Sequence, residues 1–306
     1  MASSLIGAYR DSTNSQWEYV WRKFQRFVIN RELAIINKSV TLDFLHECFV
    51  NEKLSPKTIQ VYKGALAIPL REGFGINTAD QEFSLLIRAQ FIGRPPTKKI
   101  LPKWSLDKVL SLIQNSDDNS DDFLLKKSLF LTTLATGNRA NEISALTRSS
   151  ILIEENPSKL TIPVKPKFLF KNQRLDRTPP NVVVRSLNAE VSSEKLCPVA
   201  TIKEYLTRSK EWNKTDAVFC SRARGSALKS PDVSLHICRL IELACPGTIP
   251  RGHDVRKIGT SLAWCRGLSP QEIVERVFWS SSSVFISSYL SPVDSTVNCI
   301  AVGTMS

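Results

Sequence analysis

Two short polar clusters carry the residue types that could do chemistry: Thr136-Gly137-Asn138-Arg139-Ala140-Asn141-Glu142-Ile143 and His253-Asp254-Val255-Arg256. Each alone is a weak signal. An arginine after a glycine turn can simply cap a helix, and a histidine with an arginine three residues on can share a solvated face. Together, two arginines and a histidine are what a site needs to hold a phosphodiester without a metal. Guanidinium forks bind the non-bridging oxygens bidentately and stabilise the charge that builds up in the transition state. The chain has no G-x-x-x-x-G-K-S/T, G-x-G-x-x-G, H-E-x-x-H or G-x-S-x-G, so it does not read as a nucleotidase, a zincin or a hydrolase.

Guanidinium groups cannot attack phosphorus, so a nucleophile must come from elsewhere. Of the five tyrosines, Tyr9, Tyr19 and Tyr62 fall in the first hundred residues and Tyr205 precedes the histidine cluster. Tyr289 remains, at the end of the serine-rich stretch VFWSSSSVFISSYLSP.

The elements that must position these groups are mostly helical. Apolar residues at 17, 20, 21, 24, 27 and 28 form a 3.6-period stripe, and Ser15 with Glu18 has capping-box spacing, which predicts a helix starting there. Further helices are expected at 41–52, after Ser55-Pro56, and at 80–91. The stretch 93–103 (GRPPTKKILPK) reads as an extended interdomain linker. Beyond it, helices are expected from Ser105 and over 121–136. Three short strands follow at 151–153, 159–164 and 181–187, and more helices at 199–211, 231–245, 254–266, 269–277 and 280–290. The expected organisation is a helical domain (1–92), the linker (93–103), and a mainly helical domain with a small antiparallel sheet (104–306).

The 306 residues carry 41 Lys and Arg against 29 Asp and Glu, a formal charge of +12. Of that surplus +3 lies in 1–95 and +9 in 96–306. From the start of the second strand towards the third, 159–177 holds six basic residues and the single acid Asp176. Such a balance fits a nucleic-acid partner, an acidic membrane surface, or plain solubility with a solvated basic loop. The composition, 42% hydrophobic with 12 Gly and 16 Pro, excludes collagen and disorder. No uncharged apolar run approaches the ~18 residues of a membrane helix, and the start lacks a signal-peptide layout. An intracellular protein with no membrane partner is the expectation. The seven scattered cysteines never form C-x-x-C and read as reduced; with three histidines no zinc site and no cofactor is expected.

T-G-x-R-x-x-E-I-x-x-L (136–146), H-x-x-R (253–256) and a late tyrosine resemble the signature of the tyrosine recombinases, the phage-integrase superfamily. More narrowly, LPKWSLDKVL (101–110), FLFKNQ (168–173), expected as a hairpin, and F-W-S-S-x-S-x-F with a tyrosine ten residues after Trp279 are similar to recombinases of eukaryotic mobile elements, the DIRS-like and Crypton-like kinds. The catalytic resemblance covers about 100–292. Over 13–92 it rests on helix content and SPKTIQVYKGAL, similar to the family's core-binding domain.

The resemblance implies the tyrosine-recombinase fold: a helical, SAM-like core-binding domain, then a mostly helical catalytic domain with a small antiparallel sheet. It implies that Arg139 and Arg256 clamp the scissile phosphate, with His253 as general base or hydrogen-bond partner of the phenol. Lys171 would be the general acid, in competition with Lys165 and Lys167 because the register of the stretch is open. Trp279, where many relatives have a histidine, would donate its N–H to a phosphate oxygen or serve as an ordinary core aromatic. Tyr289 would form a 3′-phosphotyrosine, an interface or core tyrosine being the bland reading. Glu142 would support Arg139 by an ion pair. Lys57, Lys63, Lys98, Lys99, Lys165, Lys167, Arg174 and Lys257 are expected to touch DNA. Further implications are action on double-stranded DNA in the nucleus, in integration or transposition of a mobile element, and a tetramer that exchanges carboxy-terminal segments. STVNCIAVG (295–303) would be the exchanged tail, or else a self-packed helix. The rivals are a catalytically silent DNA-binding derivative, a type IB topoisomerase-like relaxing enzyme, and a metal-dependent transposase or nuclease that uses carboxylates.

Overall fold

The computed structural model describes residues 11–95, 104–155, 158–171, 173, 181–186, 194–279 and 281–286. The chain divides into two compact units, Met1–Ile100 and Leu101–Ser306.

The first unit is helical: α1 (Asp11–Asn30), α2 (Lys38–Val50), α3 (Pro56–Phe74) and α4 (Gln81–Gly93). Each helix places apolar residues three or four apart on one face, and those faces meet. Val20, Phe24 and Phe27 of α1 pack with Phe44, Leu45 and Cys48 of α2, Ile59, Tyr62 and Leu66 of α3, and Phe83 and Ile87 of α4. Ser55 caps α3 as its sequence predicts, its hydroxyl accepting from the Thr58 N–H at 3.2 Å with Pro56 in the first turn. The expected start of α1 is corrected: the helix already runs at Asp11, so Ser15 and Glu18 lie inside it. Nothing from Asp11 to Asn14 breaks a helix, and residues three apart on any helix can mimic a capping box.

The second unit is built round α6 (Asp121–Thr136), which follows α5 (Leu106–Asn115) and is buried on nearly every side. Ser105 and Ser120 cap the two starts. A helix apolar all round must sit at a centre. α6 packs against α8 (Pro198–Arg208), α9 (Ser230–Ala244) and α10 (Gly252–Cys265). The short α7 (Ala140–Ile143) lies just after α6 in the chain, and α11 (Pro270–Arg276) and α12 (Ser282–Val284) come last among the described residues.

β1 (Leu152–Glu155), β2 (Ser158–Ile162) and β3 (Val182–Arg185) form an antiparallel sheet in the order β1-β2-β3, with Leu160 opposite Ile153 and Val184. Leu160, Ile162, Val182 and Val184 turn inward; β1 is exposed along its length. The expected hairpin at 168–173 is corrected too. Its described residues form no paired strands but turns around Phe170, whose N–H donates to the Gln173 side chain and whose carbonyl accepts from the Gln173 N–H. The helix expected over 280–290 is seen as the turn 282–284 and its continuation to 286; the rest lies outside the described residues, as do 96–103 of the linker.

Candidate catalytic site

The end of α6 places the first arginine. Gly137 caps the helix in the left-handed region at φ 63°, and the backbone then turns extended at Arg139, which becomes the N-cap of α7. Three residues on, Glu142 reaches back. Its Oε2 accepts from the Arg139 N–H at 2.8 Å and its Oε1 from Arg139 Nη1 at 2.7 Å. Glu142 is fully buried, and its Oε2 also lies 3.8 Å from Nη1 of Arg256 on α10. The two sequence clusters, more than a hundred residues apart, therefore meet on one carboxylate.

Arg256 is itself buried. Its guanidinium carbon stands 4.8 Å from the centre of the Trp279 ring, and Nη2 donates to the Val277 carbonyl at 3.5 Å. The indole in turn stacks on Phe285, centroids 5.8 Å apart. Only 1% of the Arg256 side chain is exposed, against 16% for Arg139. Of the two arginines, Arg139 is the more accessible.

α10 also carries His253 and Lys257. His253 is exposed, yet its ring is partly withdrawn from water. That loss of hydration, followed by the positive charges of Arg256, Lys257, Arg139 and Lys171, pushes its pKa down to about 4. At neutral pH the imidazole is therefore uncharged. Lys171, whose charge adds to that lowering, is exposed in the turns between β2 and β3.

Lys165 and Lys167 are exposed earlier in the same segment, Lys257 is half-buried beside Arg256, and Lys57 (exposed) and Lys63 (half-buried) lie on α3 of the other unit. Tyr289, Lys98, Lys99, Arg174 and the tail 295–303 lie outside the described residues. Three residues that frame the site were given no role from sequence. Phe170 and Phe278 pack edge to face, and Gly259 lets α10 approach the backbone of α6. Both rings lie in stretches that carry the family resemblance, FLFKNQ and F-W-S-S-x-S-x-F, but nothing in either motif says that they meet; a glycine inside a helical pattern is the signal for Gly259. Among the described residues no group of three or more His, Cys, Asp or Glu could hold a metal ion, and no helix is long and apolar enough to cross a membrane.

No family model matches the sequence, and no curated protein does. Solved structures do. A lambda integrase tetramer bound to a Holliday junction superposes with a TM-score of 0.56 at 15% identity, over 94% of this chain and 74% of that one. XerH site-specific recombinase bound to its difH substrate gives 0.56 at 19%, over 87% and 72%. The Tn1549 transposon integrase in complex with transposon right end DNA gives 0.57 at 14%, over 90% and 89%. At such identities the likeness is one of fold: this chain has the tyrosine-recombinase fold.

Proposed function

We propose that the protein cleaves and rejoins double-stranded DNA through a 3′-phosphotyrosine, as a site-specific recombinase or integrase. One observation carries this reading: Arg139 and Arg256 converge on the buried Glu142 within a fold shared with DNA-bound recombinases. With Lys171 and a neutral His253, the cluster holds three cations against one carboxylate. That surplus of positive charge matches a phosphodiester that gains negative charge on attack.

In the proposed step the Tyr289 phenol oxygen bonds to phosphorus and its proton passes to His253. The bond from phosphorus to the 5′ oxygen breaks, and that oxygen takes a proton from the Lys171 ammonium. The phosphotyrosine conserves the bond, so a 5′ hydroxyl of another strand can reverse the step. Arg139 and Arg256 hold the non-bridging oxygens, and the Trp279 ring holds the guanidinium of Arg256. The diffuse basic residues, Lys57, Lys63, Lys98, Lys99, Lys165, Lys167, Arg174 and Lys257, supply affinity that falls steeply with salt.

The motifs that resemble those of eukaryotic mobile-element recombinases support the finer reading: a nuclear enzyme of element integration, working as a tetramer on DNA through the tail 295–303. Incubation with a nicked suicide duplex in EDTA tests the chemistry. A covalent protein–DNA species is expected; its absence while the duplex is bound counts against catalysis and favours a silent DNA-binding protein.

A further inference from the structure

The described residues around Lys171 form turns rather than a strand, so its position depends on the packing of its neighbours. Phe170 immediately precedes it and is 2% exposed. Its ring meets Phe168 edge to face at 5.1 Å and Phe278 at 5.2 Å and 67°. Phe278 is 3% exposed and immediately precedes Trp279. Its backbone lies at φ 53°, a left-handed conformation strained for a bulky side chain and kept only where surrounding packing imposes it. The two rings thus join the segment that carries Lys171 to the segment whose indole holds Arg256. Both also line an open hollow of about 310 Å³ with Asn138, Asn181 and Arg185, so removing either ring leaves a gap open to water.

We propose that Phe170 and Phe278 form an aromatic clasp that positions Lys171 for proton transfer to the leaving 5′ oxygen, making both of them positioning residues. This rests on the phosphotyrosine reading above. The clasp bears on one event, the arrival of the ammonium proton as the bond from phosphorus to the 5′ oxygen breaks. A 5′ sulfur in place of that oxygen leaves as a stable thiolate and needs no proton, so a defect confined to proton delivery disappears on the sulfur substrate.

The test compares adduct formation by the full chain on two suicide duplexes that differ only in this bridging atom. Wild type is expected to react with both. Phe170→Leu should lose ~10–100-fold on oxygen and less than ~3-fold on sulfur, the pattern expected of Lys171→Ala. Phe278→Gly removes the ring at a position whose left-handed backbone glycine adopts without strain, and it should behave the same way. Either change added to Lys171→Ala should cost nothing more on oxygen, because the groups act as one unit. Equal losses on both substrates, or no loss on oxygen, would overturn the clasp while leaving the phosphotyrosine reading intact. A wild type that forms no adduct with either substrate overturns both.

Discussion

A Cβ placed on Gly259 of α10 would lie 2.4 Å from the Leu134 carbonyl oxygen of α6. The obstacle is backbone, which cannot swing aside as a side chain could. This contact sets the distance between the helix that ends at Gly137, just before Arg139, and the helix that carries Arg256 one turn before Gly259. Gly259→Ala is therefore expected to force α6 and α10 apart, costing ~1–3 kcal/mol in urea unfolding and weakening the pairing of both arginines with Glu142. A variant as stable as wild type would contradict the close packing.

Glu142 balances two buried or half-buried arginines. Glu142→Ala leaves the Arg256 charge buried without its carboxylate, and a loss of ~3–5 kcal/mol is expected. Glu142→Gln keeps an oxygen that can accept from the Arg139 N–H and should lose less. Chemical denaturation of the pair checks the order.

Trp279 offers its ring face to Arg256 and stacks on Phe285. Trp279→Phe preserves a ring and is expected to lose ~1 kcal/mol, while Trp279→Ala opens a cavity and should lose ~3–5 kcal/mol. If both variants melt like wild type, the indole does not hold the guanidinium.

His253 has a folded pKa near 4 against an ordinary 6.5. Between those values the unfolded chain binds the extra proton, so the contribution of His253 is fully present above about pH 6.5 and is lost as pH falls towards 4. Urea midpoints of His253→Gln should therefore fall less between pH 7 and pH 5 than those of wild type. Parallel falls would place the titrating group elsewhere.

Much of this was legible in the sequence because burial imposes periodicity. The stripe through Val20, Phe24 and Phe27 and the alternation of Val182 and Val184 follow from which faces must avoid water. Ser55-Pro56 marks a helix start because its hydroxyl and its missing N–H both suit one. The boundary near Ser15 failed because a capping-box spacing also occurs inside helices. The meeting of Arg139 and Arg256 on Glu142 is a product of tertiary packing, as is the closure of Arg256 from solvent. No local pattern announces that Phe278 takes a left-handed backbone: for a phenylalanine that conformation is imposed by neighbours, here in contact with Phe170.

The account turns on the phenol of Tyr289, and the most direct measurement compares wild type with Tyr289→Phe on a nicked suicide duplex in metal-free buffer. Removal of one oxygen should abolish the covalent adduct while duplex binding persists. An adduct that survives in Tyr289→Phe would contradict the assignment and place the nucleophile at another residue, Tyr205 or a serine.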